Sequence, residues 1–254
     1  MQDDKSASPR PLVLIHGAWH GGWCWEPTVE KVQALQPGLD IHTPTLLGLG
    51  DRAEFLTPEL SLQDQIADIA NYIDSRDLRN MVLVGHSYGG LIITGLADRL
   101  ASRVDHLVYL DALVPISGES MATSGSLPLK SGELQSIRDR FAAIAPDGLA
   151  MTPPPPTLFG VPQEHPAYDW VAANLTPHPL KPCFDELILT TAQQTSIPRT
   201  YIACVKPPLK QSGVAAGAKR AKEQPGWTYL EIETGHDAMI TAPGELAEIL
   251  VAHA

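Results

Sequence analysis

A serine set between glycines, Gly85-His86-Ser87-Tyr88-Gly89, carries the clearest chemical signal in the chain. The G-x-S-x-G spacing is that of a nucleophile elbow. The backbone turns so sharply that the serine hydroxyl is pushed clear, and side chains two residues before and after would collide. The same pattern occurs in ordinary glycine-rich turns. Here its context favours the elbow, because the apolar run Met81–Val84 precedes it and a helical stretch follows. A serine hydroxyl is a poor nucleophile at neutral pH and needs a base. Nine histidines are available. His16 and His86 stand in tight turns, where a structural role is expected. His20, His42, His106, His165, His178 and His253 have no setting that suggests chemistry. His236 lies in Thr234-Gly235-His236-Asp237-Ala238-Met239, between the last predicted strand and the last predicted helix.

An imidazole base needs a carboxylate to hold its tautomer and stabilise the imidazolium. Asp111 is the candidate, at the end of the predicted strand 106–110 and 111 − 87 = 24 residues after the serine. The order serine, aspartate, histidine is one in which this constellation occurs. The stretch Cys204–Lys210 offers no carboxylate. Asp237 adjoins His236, and neighbouring loop residues rarely turn back on each other. Asp51 lies in an earlier loop. A bracing or capping role is the competing reading of Asp111. The oxyanion of acyl transfer must meet preorganised N–H donors. Tyr88 N–H, directly after the serine, is one. Ala18 N–H is the other, in the glycine-rich loop His16–Trp23.

These groups require particular elements to carry them. Leu12–Ile15 and Met81–Val84 read as strands buried on both faces of a parallel sheet. A helix over 27–35 follows the first strand, with Pro27 at its start, and a short strand is expected around Leu39–His42. In 61–73, Leu62, Ile66, Ile69 and Ile73 recur at helical spacing behind the cap candidate Ser61. A helix over 91–100, strands over 106–110, 199–205 and 227–233, and a helix near 210–224 continue the pattern. A last helix over 243–252 has Thr241 as its cap candidate. From 115 to 195 the alternation stops, and Gly, Ser and Pro abound, with four prolines in a row at 153–156. The predicted organisation is an α/β core built from 1–114 and 196–254, interrupted by an insertion over 115–195.

The 254 residues carry a formal net charge of −11, with 44% hydrophobic and 19% charged residues. That balance is globular, and it disfavours nucleic acid and anionic membranes as partners. The N-terminal stretch has no apolar signal region, no run approaches a membrane span, and three cysteines suit a reducing compartment, so a cytoplasmic location is expected. No His/Cys cluster has metal-ligand spacing, and Gly48-Leu49-Gly50-Asp51-Arg52-Ala53 lacks the third glycine of a dinucleotide fingerprint. Neither a metal nor a cofactor is expected.

The stretches LVLIHGAWHGGWCWEP, TLLGLGDRAEFL, LVGHSYGGLIITGLADR, VYLDALVP and TGHDAMITAP together span residues 12 to 243. In this combination the chain resembles the α/β-hydrolase superfamily, and within it the plant methylesterase and hydroxynitrile lyase group with its bacterial esterase relatives. The resemblance implies an α/β-hydrolase fold: a mostly parallel central sheet flanked by helices, with 115–195 as an inserted cap, or lid. Plant methylesterases usually carry the acid after the penultimate strand, where this chain has Val205-Lys206-Pro207. That departure favours Asp111, a placement some members of the superfamily use. The lyases carry threonine in place of Gly17 and lysine in place of Asp237, so ester hydrolysis is favoured over cyanohydrin cleavage. The expected activity is a serine esterase acting through an acyl-enzyme on small to medium hydrophobic carboxylic esters. The alternatives are a C–C lyase using the same three residues, or a non-catalytic receptor. The pocket is expected between the sheet edge and the insertion, with Trp19, Trp170 and Met239 against the substrate. Trp23, Trp25, Phe159 and Tyr168 are further candidates, most of them better suited to the core. A small-molecule ester is the expected partner, and a homodimer stays open.

Overall fold

Alternate residues of the buried strands serve two different cores. In the computed structural model, which describes residues 9–191, 196–209 and 212–254, strand β1 (Leu12–Ile15) turns Leu12 and Leu14 to one layer of helices and Val13 and Ile15 to the other. Neighbouring side chains on a strand point to opposite faces, so a continuous apolar run is what a sheet covered on both sides needs. After β1 come α1 (Glu26–Leu35), β2 (Ile41–His42), α2 (Leu62–Ser75), β3 (Met81–His86), α3 (Gly89–Leu100) and β4 (Val104–Leu110). The sheet resumes with β7 (Arg199–Cys204) after an intervening segment containing α4 (Glu133–Ile144), β5 (Ala150–Met151), α5 (Tyr168–Asn174) and β6 (His178–Pro179). The chain ends with α6 (Ser212–Glu223), β8 (Trp227–Ile232), α7 (Ala238–Thr241) and α8 (Pro243–Val251).

The main sheet runs β2-β1-β3-β4-β7-β8, with every pairing parallel. Side chains of α2, α3 and α6 fill one core and those of α1, α7 and α8 the other. The expected fold is therefore the observed one, a parallel central sheet flanked by helices. From β1 the chain moves outward to β2 and returns on the other side at β3, so the loops after β1 and β3 diverge. Such a switch point opens a crevice at the carboxyl ends of the strands.

Ser61 caps α2 as expected. Its side chain accepts from Asp64 N–H, and the Asp64 carboxylate reaches back to Ser61 N–H. Thr241 does not cap α8. The N-cap is Ala242, and the Thr241 hydroxyl bonds Thr234 Oγ1 and the Asp237 carbonyl instead. The helix expected near 210–224 is seen from Ser212, residues 210 and 211 lying outside the described residues. Between β4 and β7 the segment holds more regular structure than its composition suggests. Helix α4 is mostly exposed, with Ile137 its one buried residue, which leaves little apolar periodicity to read. The β5–β6 pair is antiparallel and two residues long. Among the described residues, no helix is long and apolar enough to cross a membrane.

Candidate active site

Ser87 occupies the turn between β3 and α3 with φ of +54°, a conformation that strains any residue with a side chain. The surroundings enforce it. Ser87 N–H donates to the Leu110 carbonyl at 3.2 Å, and its own carbonyl accepts from Gly90 N–H at 3.1 Å and Leu113 N–H at 3.0 Å. The flanking glycines are required by contact with backbone. A Cβ on Gly85 would stand 2.6 Å from the Gly89 carbonyl oxygen, and one on Gly89 would stand 2.6 Å from that of Ile15. Two neighbouring strand ends carry the same strain, with Asp111 at φ +42° after β4 and Trp19 at φ +65° after β1.

Asp111 and His236, 125 positions apart, meet at 2.6 Å between Oδ2 and Nδ1, and both are buried. The other carboxylate oxygen accepts from Cys204 N–H at 3.3 Å, and Asp111 N–H donates to Ile202 O at 2.7 Å. The carboxylate is thus held across the ends of β4 and β7. With Nδ1 committed to Asp111, the proton on that nitrogen points at the carboxylate and Nε2 is left as the basic atom. The His236 backbone is fixed in turn: its carbonyl accepts from His86 Nε2 at 3.1 Å, and the two rings lie 4.5 Å apart. Burial and the neighbouring His236 push His86, the last residue of β3, well below the ordinary imidazole range, so it stays neutral. Burial likewise pushes His16 down to about 3; its Nδ1–H donates to Gly17 O and its Nε2 accepts from Leu46 N–H.

Ala18 and Tyr88 are both buried, and among the described residues neither backbone N–H donates to a protein acceptor. Buried amides left unengaged beside a strained serine are what an anion-binding pair requires. Gly17 lets that loop approach, since a Cβ there would lie 2.9 Å from Ser87 Cβ and from His86 Nδ1. No hydrogen bond joins the Ser87 hydroxyl to His236. Ser87 lines a cavity of about 410 Å³, while His236 lines another of about 210 Å³ with Leu158, Pro207 and Leu209.

The larger cavity is walled by Trp19, Tyr88, Leu113, Met121, Phe141 and Met151, with Arg140 as its charged member. Trp19 lines this cavity, its indole N–H donating to Met151 O at 3.1 Å. Trp170 and Met239 are not in that wall. Trp170 packs edge-on to Trp23 at 5.0 Å, and Met239 is fully buried against α1, its carbonyl held by Thr28 Oγ1. Each is large and apolar, which suits a pocket wall and a core equally, and both pack with the α1/α8 core instead. The wall residues missed from sequence, Met121, Arg140, Phe141 and Met151, come from the irregular segment, where no periodicity marks which side chains turn inward. His20 was also missed. Its ring bonds Asp237, the residue after His236, and nothing local to either position signals a contact across 217 positions. Among the described residues no cluster of His, Cys, Asp or Glu could hold a metal.

A parallel sheet covered by helices on both faces, a strained serine elbow after β3, and a His–Asp pair at later strand ends define an α/β hydrolase. The chain belongs to the alpha/beta hydrolase family, whose family model matches residues 12–249. It is 37% identical over 244 residues to the carbendazim hydrolyzing esterase of Nocardioides sp., covering 95% of this chain and 98% of that one. It is 25% identical over 274 residues to methylesterase 10 of Arabidopsis thaliana, covering 94% and 90%. Among solved structures, an extracellular α/β-hydrolase from a Paenibacillus species superposes with a TM-score of 0.76 at 22% identity, covering 97% and 99%.

Proposed function

We propose that this carboxylic ester hydrolase works through a serine acyl-enzyme, with Ser87 as nucleophile, His236 as general base and acid, and Asp111 as the acid that orients His236. The carrying observation is the buried 2.6 Å contact between Asp111 Oδ2 and His236 Nδ1 beside the strained elbow. Nε2 of His236 takes the Ser87 proton as Oγ attacks the ester carbonyl. Ala18 and Tyr88 N–H groups bind the oxyanion. The tetrahedral intermediate collapses as His236 hands its proton to the departing alcohol. Water, deprotonated by the same nitrogen, then releases the acid and restores Ser87. The open Ser87–His236 geometry fits a free enzyme whose catalytic contacts tighten when substrate binds.

The Ser87 cavity suits a small to medium acyl group of largely apolar character, with residues 115–195 as the cap that shapes it. The name of the Nocardioides relative makes carbendazim a substrate to include beside simple esters. The test is a panel of p-nitrophenyl esters of increasing acyl length plus carbendazim, run on the native chain and on Ser87→Ala. Native turnover is expected, with Ser87→Ala down by about 10⁴ or more. A fluorophosphonate should label the native serine alone. Undiminished turnover in folded Ser87→Ala would end the proposal.

A further inference from the structure

His20 and Asp237 form a second buried His–carboxylate pair behind the site. Nε2 of His20 lies 3.1 Å from Asp237 Oδ2, and the two side chains are 1% and 0% exposed. The other ring nitrogen, Nδ1, lies 2.8 Å from the carbonyl oxygen of Ala18. A carboxylate and a backbone carbonyl are both acceptors, so a neutral ring, with one N–H, can satisfy only one of them. Both contacts are made together only by the imidazolium. The two partners belong to the two loops that must stay in register. Ala18 carries an oxyanion donor on the loop after β1, and Asp237 directly follows His236 on the loop after β8.

Resting on the serine-esterase reading above, we infer that His20 is a positioning residue: as an imidazolium bridging Ala18 O and Asp237 Oδ2, it ties the oxyanion loop to the loop of the catalytic base. The groups packed around it leave Asp237 as its counter-charge. From the β1 loop His16 faces it, and from the elbow His86, its ring 6.0 Å away; burial holds both neutral. Trp23 stacks on it at 5.5 Å and Phe159 meets it edge-on at 5.0 Å. Asp237 is anchored separately, its N–H donating to Phe159 O at 2.9 Å. Burial alone would drive the His20 proton off, but the Asp237 charge and hydrogen bond outweigh it and raise its pKa above the ordinary 6.5. The bridge is therefore complete below the ordinary imidazole value of 6.5 and is lost as pH rises through the raised value, because one of the two contacts then has no proton.

The direct test is nitrogen-15 NMR of the histidine rings in the full, unmutated chain at about pH 6, assigned through the backbone of residues 18–21. His20 is expected with both ring nitrogens protonated. A neutral single tautomer overturns the inference. The kinetic test is Asp237→Asn on p-nitrophenyl acetate. A fall in kcat on the order of 10–100-fold is expected, with KM within about twofold and the alkaline fall of kcat moved to lower pH. Unchanged kcat and an unchanged alkaline limb in a folded variant also overturn it. If the variant does not fold, the NMR result on the native chain decides. Fluorophosphonate labelling of native Ser87 is read alongside, so a failure of the serine mechanism is seen separately from a failure of the His20 bridge.

Discussion

Replacing Asp111 by asparagine is the sharpest probe of the site, because the structure dictates which way the amide must face. Cys204 N–H, 3.3 Å from Oδ1, needs an oxygen acceptor, so the amide oxygen stays there and the NH₂ replaces Oδ2, 2.6 Å from His236 Nδ1. Two donors then oppose each other. The imidazole resolves the clash by shifting its proton to Nε2, the atom that should accept from Ser87. The lost charge adds to this. At an effective dielectric constant of about 20, a unit charge a few ångströms away is worth about 4 kcal/mol, or roughly three powers of ten in rate. Together with the wrong tautomer, a loss of about 10⁴ in kcat is expected. The assay is steady-state hydrolysis of p-nitrophenyl acetate, with the rate of fluorophosphonate labelling measured in parallel and a thermal melt to confirm folding. If folded Asp111→Asn stays within about tenfold of native kcat, the acid assignment and the tautomer argument behind it are refuted.

Three further perturbations follow from particular contacts. Gly89→Ala puts a Cβ 2.6 Å from the Ile15 carbonyl and 2.9 Å from that of His16, both backbone atoms, so a loss of about 1–3 kcal/mol in unfolding free energy is expected by urea titration. Glu119, buried at the start of the segment after β4, is held by Arg220 and by the N–H groups of Ile116 and Gly125. Burial raises its pKa, but these partners outweigh burial and bring it below the ordinary 4.5. Its contribution is thus fully present above pH 4.5 and is lost as pH falls through the depressed value. Urea midpoints should show a flatter acid limb in Glu119→Gln than in the native chain. Arg140 makes no ion pair among the described residues and faces the Ser87 cavity. Arg140→Gln should lower kcat/KM for an acyl chain ending in a carboxylate by up to about fivefold, leaving the uncharged ester of equal length unaffected.

Much of this protein is legible in the sequence. The strands announce themselves because a sheet covered on both faces demands unbroken apolar runs. Leu12–Ile15 and Met81–Val84 are such runs. The elbow is equally local: Gly85 and Gly89 flank Ser87 because backbone carbonyls leave no room for a Cβ. The order of the α/β alternation places His236 and Asp111 at strand ends, and strand ends of a parallel sheet share one edge. Tertiary structure alone decided the rest, since each remaining question concerned a distance between residues far apart in sequence. Only the folded chain shows that the carboxylate reaching His236 Nδ1 is Asp111 and not its neighbour Asp237, which turns to His20. Nor could residue type tell a pocket wall from a core. Trp19 and Met239 are both large and apolar beside the site, yet one lines the cavity and the other is sealed beneath α1. Periodicity reports which side of an element a residue occupies; which neighbour covers that side is set by packing.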